Sequence, residues 1–255
     1  MPTAAGFVAR DHAKTKGTYS QPRSASTVAA RMIVVHHLDN SRSQRVLWLL
    51  EELGLPYEIR KYRRDPDTLL APASLREVHP LGKSPVITDE GRTIAESGAI
   101  IEYVLERHGR GRLRPAPGTP ERLRYTYWLH FAEGSAMPPL LLKLIFDEIP
   151  GRPMPFFARP VARGISRKVL DTFVMPNLQR QLDFMENELG KSEWFAGPAF
   201  TAADIQMSFP LEAAAQRAEL DASRPRLMAF LQRIHARPAY RRALERGGPY
   251  TFAND

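Results

Sequence analysis

Every strand-like pattern in this chain falls between Met32 and Ala95, and residues 120–250 contain none. A chain built this way divides into an α/β part followed by an all-α part. In the first part, MIVVHH is a strand candidate. SQRVLWLLEELG then places Val46, Leu49, Leu50 and Leu53 on one helical face and stops at Gly54, a natural left-handed terminator. PYEIRKY is a second strand, and the three elements form a βαβ unit whose strands run parallel. After a Pro- and charge-rich loop from Arg63 to Pro80, SPVITDEGRTIA predicts a hairpin turning at Asp89-Glu90-Gly91. The helix SGAIIEYVLERHG follows, with Ile100, Ile101, Val104 and Leu105 facing inward.

The order β-α-β then β-β-α is the thioredoxin-like arrangement. It is expected over 32–113, and the linker GRGRLRPAPG separates it from an all-helical domain at 119–250. Thr119-Pro120 supplies an N-cap and a first-turn proline for that second domain. Residues 1–31 lack a sustained apolar period and the apolar stretch of a secretory signal, and are expected to be a disordered extension.

Composition narrows the chemistry. The net charge of +8 divides evenly, half of it in residues 1–31 and half spread over the other 224. No basic stripe results, and nucleic acid is not expected as a partner. No apolar run is long enough to cross a bilayer, so a membrane span is excluded and no membrane partner is expected. With no cysteine in the chain, a cysteine nucleophile and thiolate metal ligands are excluded, and the His and carboxylate spacings suggest no metal site. Any thiol that reacts here must belong to a ligand.

Three polar clusters sit at element ends, where backbone groups are free to meet a ligand. In DNSRSQR, Ser41 or Ser43 can cap the helix. Alternatively, Asn40 and Ser41 offer an amide and a hydroxyl donor to an anion at the positive end of the helix, and Arg42 adds charge. In PLGKSPVI, a cis Ser84–Pro85 bond would turn the Ser84 backbone outward to pair with an extended peptide, and Lys83 would suit a carboxylate. In AESGAI, Ser97 is expected to cap its helix, and Glu96 with Ser97 matches the zwitterionic end of an amino acid. Tyr125, Trp128 and Phe131 have core spacing but could line an apolar pocket, while His36 and His37 are read as packing or surface residues. In FTAADIQMSF, Thr201 and Asp204 form a capping box, with Phe200 placed to staple against Ile205.

Through these clusters in this order, residues 32–250 resemble the cytosolic glutathione transferases. HHLDNSRSQRVLWLLEELGLPYEI and YWLHFAEGSAMPPLLLKLIF are similar to a bacterial and fungal branch of that family. The resemblance implies that Ser84, before Pro85, pairs through its backbone with the cysteinyl part of glutathione. It further implies that Glu96 and Ser97 hold the γ-glutamyl end and that Lys83 approaches the glycyl carboxylate. Counting back from GLPYE places the usual catalytic serine at Asn40, with Ser41 next; Ser41 is favoured for the thiolate and Asn40 is kept. The implied activity is conjugation of glutathione, as co-substrate, to a hydrophobic electrophile by a homodimer serving detoxification, and the implied location is cytoplasmic. The alternatives are a glutathione-dependent peroxidase or thiol reductase, or a non-catalytic ligand-binding protein.

Overall fold

The computed structural model describes residues 32–66, 68 and 70–253; the extension expected at 1–31 lies outside the described residues. A four-stranded sheet is ordered β2-β1-β3-β4, from β1 (Ile33–Leu38), β2 (Tyr57–Tyr62), β3 (Val86–Asp89) and β4 (Arg92–Ala95). β1 runs parallel to β2 with Val35 opposite Ile59, and antiparallel to β3 with Val35 opposite Ile87. This central position explains why almost all of IVVHHL is buried. The β3–β4 hairpin turns through Glu90 and Gly91, both at positive φ, as a tight two-residue hairpin requires. β3 starts directly after a cis Ser84–Pro85 peptide.

Helix α1 (Ser43–Leu53) crosses between β1 and β2 and ends at Gly54, whose φ of 62° is left-handed. The expected apolar stripe is present, but Ser43, Gln44, Arg45, Leu47 and Trp48 are buried as well. The cause is tertiary: the sheet covers one side of α1, and helices of the second half cover the other. A short helix, α2 (Ser74–Val78), lies within the stretch expected to be loop. Its five residues bury only Leu75, so it leaves no readable period. α3 (Ser97–His108) follows β4.

From α4 (Pro120–Phe131) onward the described residues are helical or loop. Thr119 Oγ1 accepts the Arg122 N–H at 3.2 Å, which confirms the predicted cap. α4 runs through a wider π-helical turn, Ala132–Ala136, into α5 (Met137–Glu148). Pro138 and Pro139 lack N–H groups at that junction, and the wide turn absorbs the missing bonds. The same device, with Pro176, joins α6 (Arg159–Val169) through Leu170–Val174 to α7 (Met175–Glu188). α8 (Ala202–Arg217) is the buried spine, followed by α9 (Pro225–His235) and α10 (Pro238–Gly247).

Asp204 closes the capping box of α8: its carboxylate accepts the Thr201 N–H at 2.8 Å and the Phe195 N–H at 2.9 Å. Phe200, expected beside Ile205, packs its ring on Trp48 and Trp194. Tyr125 and Trp128 are core residues, with Trp128 inside a cluster of Phe131, Phe184 and Phe195. Residues from Met32 onward form one compact unit, so the two halves share an interface rather than hanging on a linker. No described helix is long and apolar enough to cross a membrane.

Candidate functional site

A cavity of about 210 Å³ opens between the sheet edge and the helical half, lined by residues that include Lys83, Ser84, Pro85, Glu96 and Ser97. Two of the three polar clusters therefore meet in one place. Lys83 and Glu96 are both exposed, and neither has an ion-pair partner among the described residues. Opposite charges held apart across one small cavity suit a ligand carrying both signs. Glu96 occupies the cap position of α3 at φ 71°, an unfavourable backbone for a side chain, on the order of 1–3 kcal/mol. Ser97 is consequently not the cap that was expected. It is the first helical residue, and its hydroxyl accepts a hydrogen bond from Arg45 Nη2 at 3.1 Å. Having accepted there, its own O–H remains available to a ligand.

The third cluster divides. Ser41 is 5% exposed and lies behind Ser84, Oγ to Oγ 3.4 Å; it also accepts the Ser43 N–H at 3.2 Å, but the cap position of α1 is Arg42 and no side chain caps the helix, so neither Ser41 nor Ser43 is the cap that was expected. Asn40 faces elsewhere. Its φ of 49° turns the side chain toward the C-terminal segment, where Oδ1 accepts the Thr251 N–H at 2.9 Å. It lines a different cavity, with Lys61, Arg63 and Pro249. Arg42 reaches the cavity at Ser84 and pairs with Glu133 at 3.0 Å.

Arg45 and Glu133 are members of the site that sequence reasoning missed. Arg45 is wholly buried, and besides Ser97 it donates to Glu133 and to the Gln206 carbonyl at 2.6 Å. That carbonyl is free because Pro210, four residues on in α8, has no N–H to offer it. Burial works to raise the Glu133 carboxyl, but the charges and hydrogen bonds of Arg45 and Arg42 outweigh it and hold the group below the usual carboxylate range. One signal in the sequence pointed to Arg45: a lone arginine at i−4 from Leu49, on the apolar face of α1, must be buried with partners. Glu133 left no such trace.

His37, expected as a packing or surface residue, is a packing residue. It is buried beneath α1, where its Nδ1 meets Ser43 Oγ at 2.8 Å, and burial, against the opposing pull of Asp39, lowers its pKa to about 4. Its neighbour His36 bonds Tyr62 through Nδ1 at 2.9 Å, while its carbonyl accepts the Ser84 hydroxyl at 3.0 Å. Among the described residues, no group of three or more His, Asp or Glu is placed to hold a metal ion.

A thioredoxin-like domain with a cis-proline edge, joined to an all-helical half, defines the class architecturally. Comparison with known proteins gives it a family. Residues 41–107 match the family model "Glutathione S-transferase, N-terminal domain", and residues 166–238 match "Glutathione S-transferase, C-terminal domain". Glutathione S-transferase 3 of Schizosaccharomyces pombe is 36% identical over 215 residues, 84% of this chain and 88% of that protein. A glutathione S-transferase structure from Actinobacillus pleuropneumoniae superposes with a TM-score of 0.73 at 32% identity, covering 88% of this chain and 97% of the other. A glutathione transferase family member from Pseudomonas fluorescens, solved with two glutathione molecules bound, has a TM-score of 0.65 at 27% identity, covering 84% and 93%. The chain belongs to the glutathione S-transferase family.

Proposed function

We propose that this protein binds glutathione in the cavity of Lys83, Ser84, Glu96 and Ser97 and transfers its thiolate to a hydrophobic electrophile. The observation that carries this reading is the pair of opposite charges, Lys83 and Glu96, which have no ion-pair partner among the described residues and line one cavity with the cis Ser84–Pro85 peptide. Glu96 takes the α-ammonium of the γ-glutamyl group, and Ser97, backed by Arg45, takes its carboxylate. The Ser84 backbone pairs with the cysteinyl residue, and Lys83 receives the glycyl carboxylate. That arrangement sets the sulfur beside Ser41 at the start of α1. There one hydroxyl, the positive end of the helix and the Arg42 guanidinium all favour thiolate over thiol. The thiol proton leaves to solvent, and the sulfur lone pair attacks the electrophile as its leaving group departs or its double bond accepts the electrons. Asn40 serves the C-terminal contact instead. The working form is a homodimer, and its role is cytoplasmic detoxification.

Ultraviolet titration of the bound thiolate tests the reading. An apparent pKa below that of free glutathione is expected. Ser41→Ala should raise that pKa by about 1–2 units and lower kcat/KM about 10- to 100-fold, with affinity for glutathione retained, since one hydrogen bond to a charged group is worth about 1.5–3 kcal/mol. An unshifted thiol in the wild type would remove thiol activation. Turnover of disulfides or peroxides with no electrophile conjugated would move the chemistry to a glutathione-dependent reductase using the same cavity.

A further inference from the structure

The hydroxyls at the start of α1 form a chain. His37 Nδ1 lies 2.8 Å from Ser43 Oγ, Ser43 Oγ lies 2.7 Å from Ser41 Oγ, and Ser41 Oγ lies 3.4 Å from Ser84 Oγ at the cavity. His37, Ser43 and Ser41 are all buried, so water does not compete for these bonds. Each hydroxyl owns one proton and can donate once. Counting protons from the cavity inward therefore links the directions of the bonds, so that setting one sets the rest.

The Ser84 proton is committed to the His36 carbonyl at 3.0 Å. The contact between Ser84 and Ser41 therefore needs Ser41 as donor. With its proton turned to the cavity, Ser41 can only accept from Ser43, as it also does from the Ser43 N–H. Ser43 has then given its proton away, and it can only accept from His37, whose Nδ1 must carry the hydrogen. The opposite polarity sends the Ser43 proton to His37 Nδ1, or to the Leu38 carbonyl at 3.4 Å, and draws the Ser41 proton inward. That state leaves no donor between Ser41 and Ser84.

We infer that His37, carrying its proton on Nδ1, is a positioning residue that sets the direction of the Ser43–Ser41 chain so that Ser41 presents its O–H to a ligand sulfur at Ser84. The inference rests on the glutathione reading above. His37 passes no proton in this role, because the thiol proton leaves to solvent and the chain fixes only orientation. Its depressed pKa keeps the ring neutral near pH 7, so it has one N–H and two possible tautomers. Asp39 and Lys61 are the charged groups that act on it, and they pull in opposite senses.

Two measurements on the full chain decide the matter. Nitrogen-15 NMR of the histidine side chains, with His37 assigned by its loss in His37→Asn, should find Nδ1 protonated and Nε2 bare. Thiolate titration of bound glutathione should then show a pKa raised by about one unit or more in His37→Phe and in Ser43→Ala, a tenfold loss of thiolate at fixed pH, with affinity little changed. His37→Asn, whose amide N–H can occupy the Nδ1 position, should recover part of the shift. An Nε2-protonated His37 overturns the inference. So does a lowered wild-type pKa that both variants keep, and in that case the glutathione reading survives. A wild type that leaves the thiol unshifted or unbound removes the glutathione reading itself, and this role with it.

Discussion

Burial acts on His37 and Asp204 with opposite consequences for folding. His37 titrates near 4 in the folded chain against 6.5 unfolded, because burial disfavours the imidazolium. Between those values the unfolded state binds a proton that the folded state does not, so stability is lost as pH falls from about 6.5 to 4. Asp204 moves the other way: burial outweighs its hydrogen bonds from Phe195 and Thr201 and lifts it from 3.8 to about 6. There the folded state holds the extra proton, and stability falls as pH rises from about 4 to 6. Each effect amounts to about 3 kcal/mol, and between pH 4 and 6 they offset one another. Urea unfolding of wild type and His37→Phe at several pH values separates them. The stability difference between the two proteins should shrink by about 3 kcal/mol from pH 6.5 to 4, and a constant difference would mean that His37 is not depressed in the fold.

At the scale of elements, the site depends on a proline in a helix that never touches the cavity at Ser84. Pro210 leaves the Gln206 carbonyl of α8 free, Arg45 of α1 donates to it, and the same guanidinium holds Ser97 of α3. Pro210→Ala would supply an N–H that competes for the carbonyl and loosens Arg45. The expected result is a KM for glutathione raised about fivefold, roughly one hydrogen bond, with kcat nearly unchanged. An unaltered KM would show that Arg45 holds its place through Glu133 alone. This linkage also marks the limit of what the sequence discloses. The cis Ser84–Pro85 bond and the place of Glu96–Ser97 at the start of a helix were legible because each lies in one continuous run at an element end. Arg45 and Glu133 stand 88 residues apart and meet only through packing. Ser41 and Asn40 were not separable, because adjacent polar residues on a turn differ in direction only through backbone angles, here the positive φ of Asn40. The short α2 was invisible for want of a period, and the depth of α1 for want of knowledge of what covers it.

Over the whole molecule, the interface between the halves is built like an interior. Trp48 of α1 meets Tyr240 of α10 edge to face at 5.1 Å and Phe200 at 5.6 Å. Around that apolar centre, Arg237 grips Glu52 through two bonds of 2.6 and 3.0 Å, and Arg242 and Arg246 converge on Glu51. Arg45 is enclosed between the halves and draws partners from both. Separation would strand a buried guanidinium and open the face of α1 that carries Trp48, costs that neither half can meet alone. The two halves should therefore unfold together. Tryptophan fluorescence, with Trp48 in the sheet half and Trp128 and Trp194 in the helical half, should change at the same denaturant concentration as the far-ultraviolet dichroism. Trp48→Ala should lower the midpoint for both signals alike, by about 3–5 kcal/mol of stability, because the cavity it leaves lies in the shared core. Two resolved transitions, or a loss confined to the sheet half, would show instead that the halves are independent domains in contact.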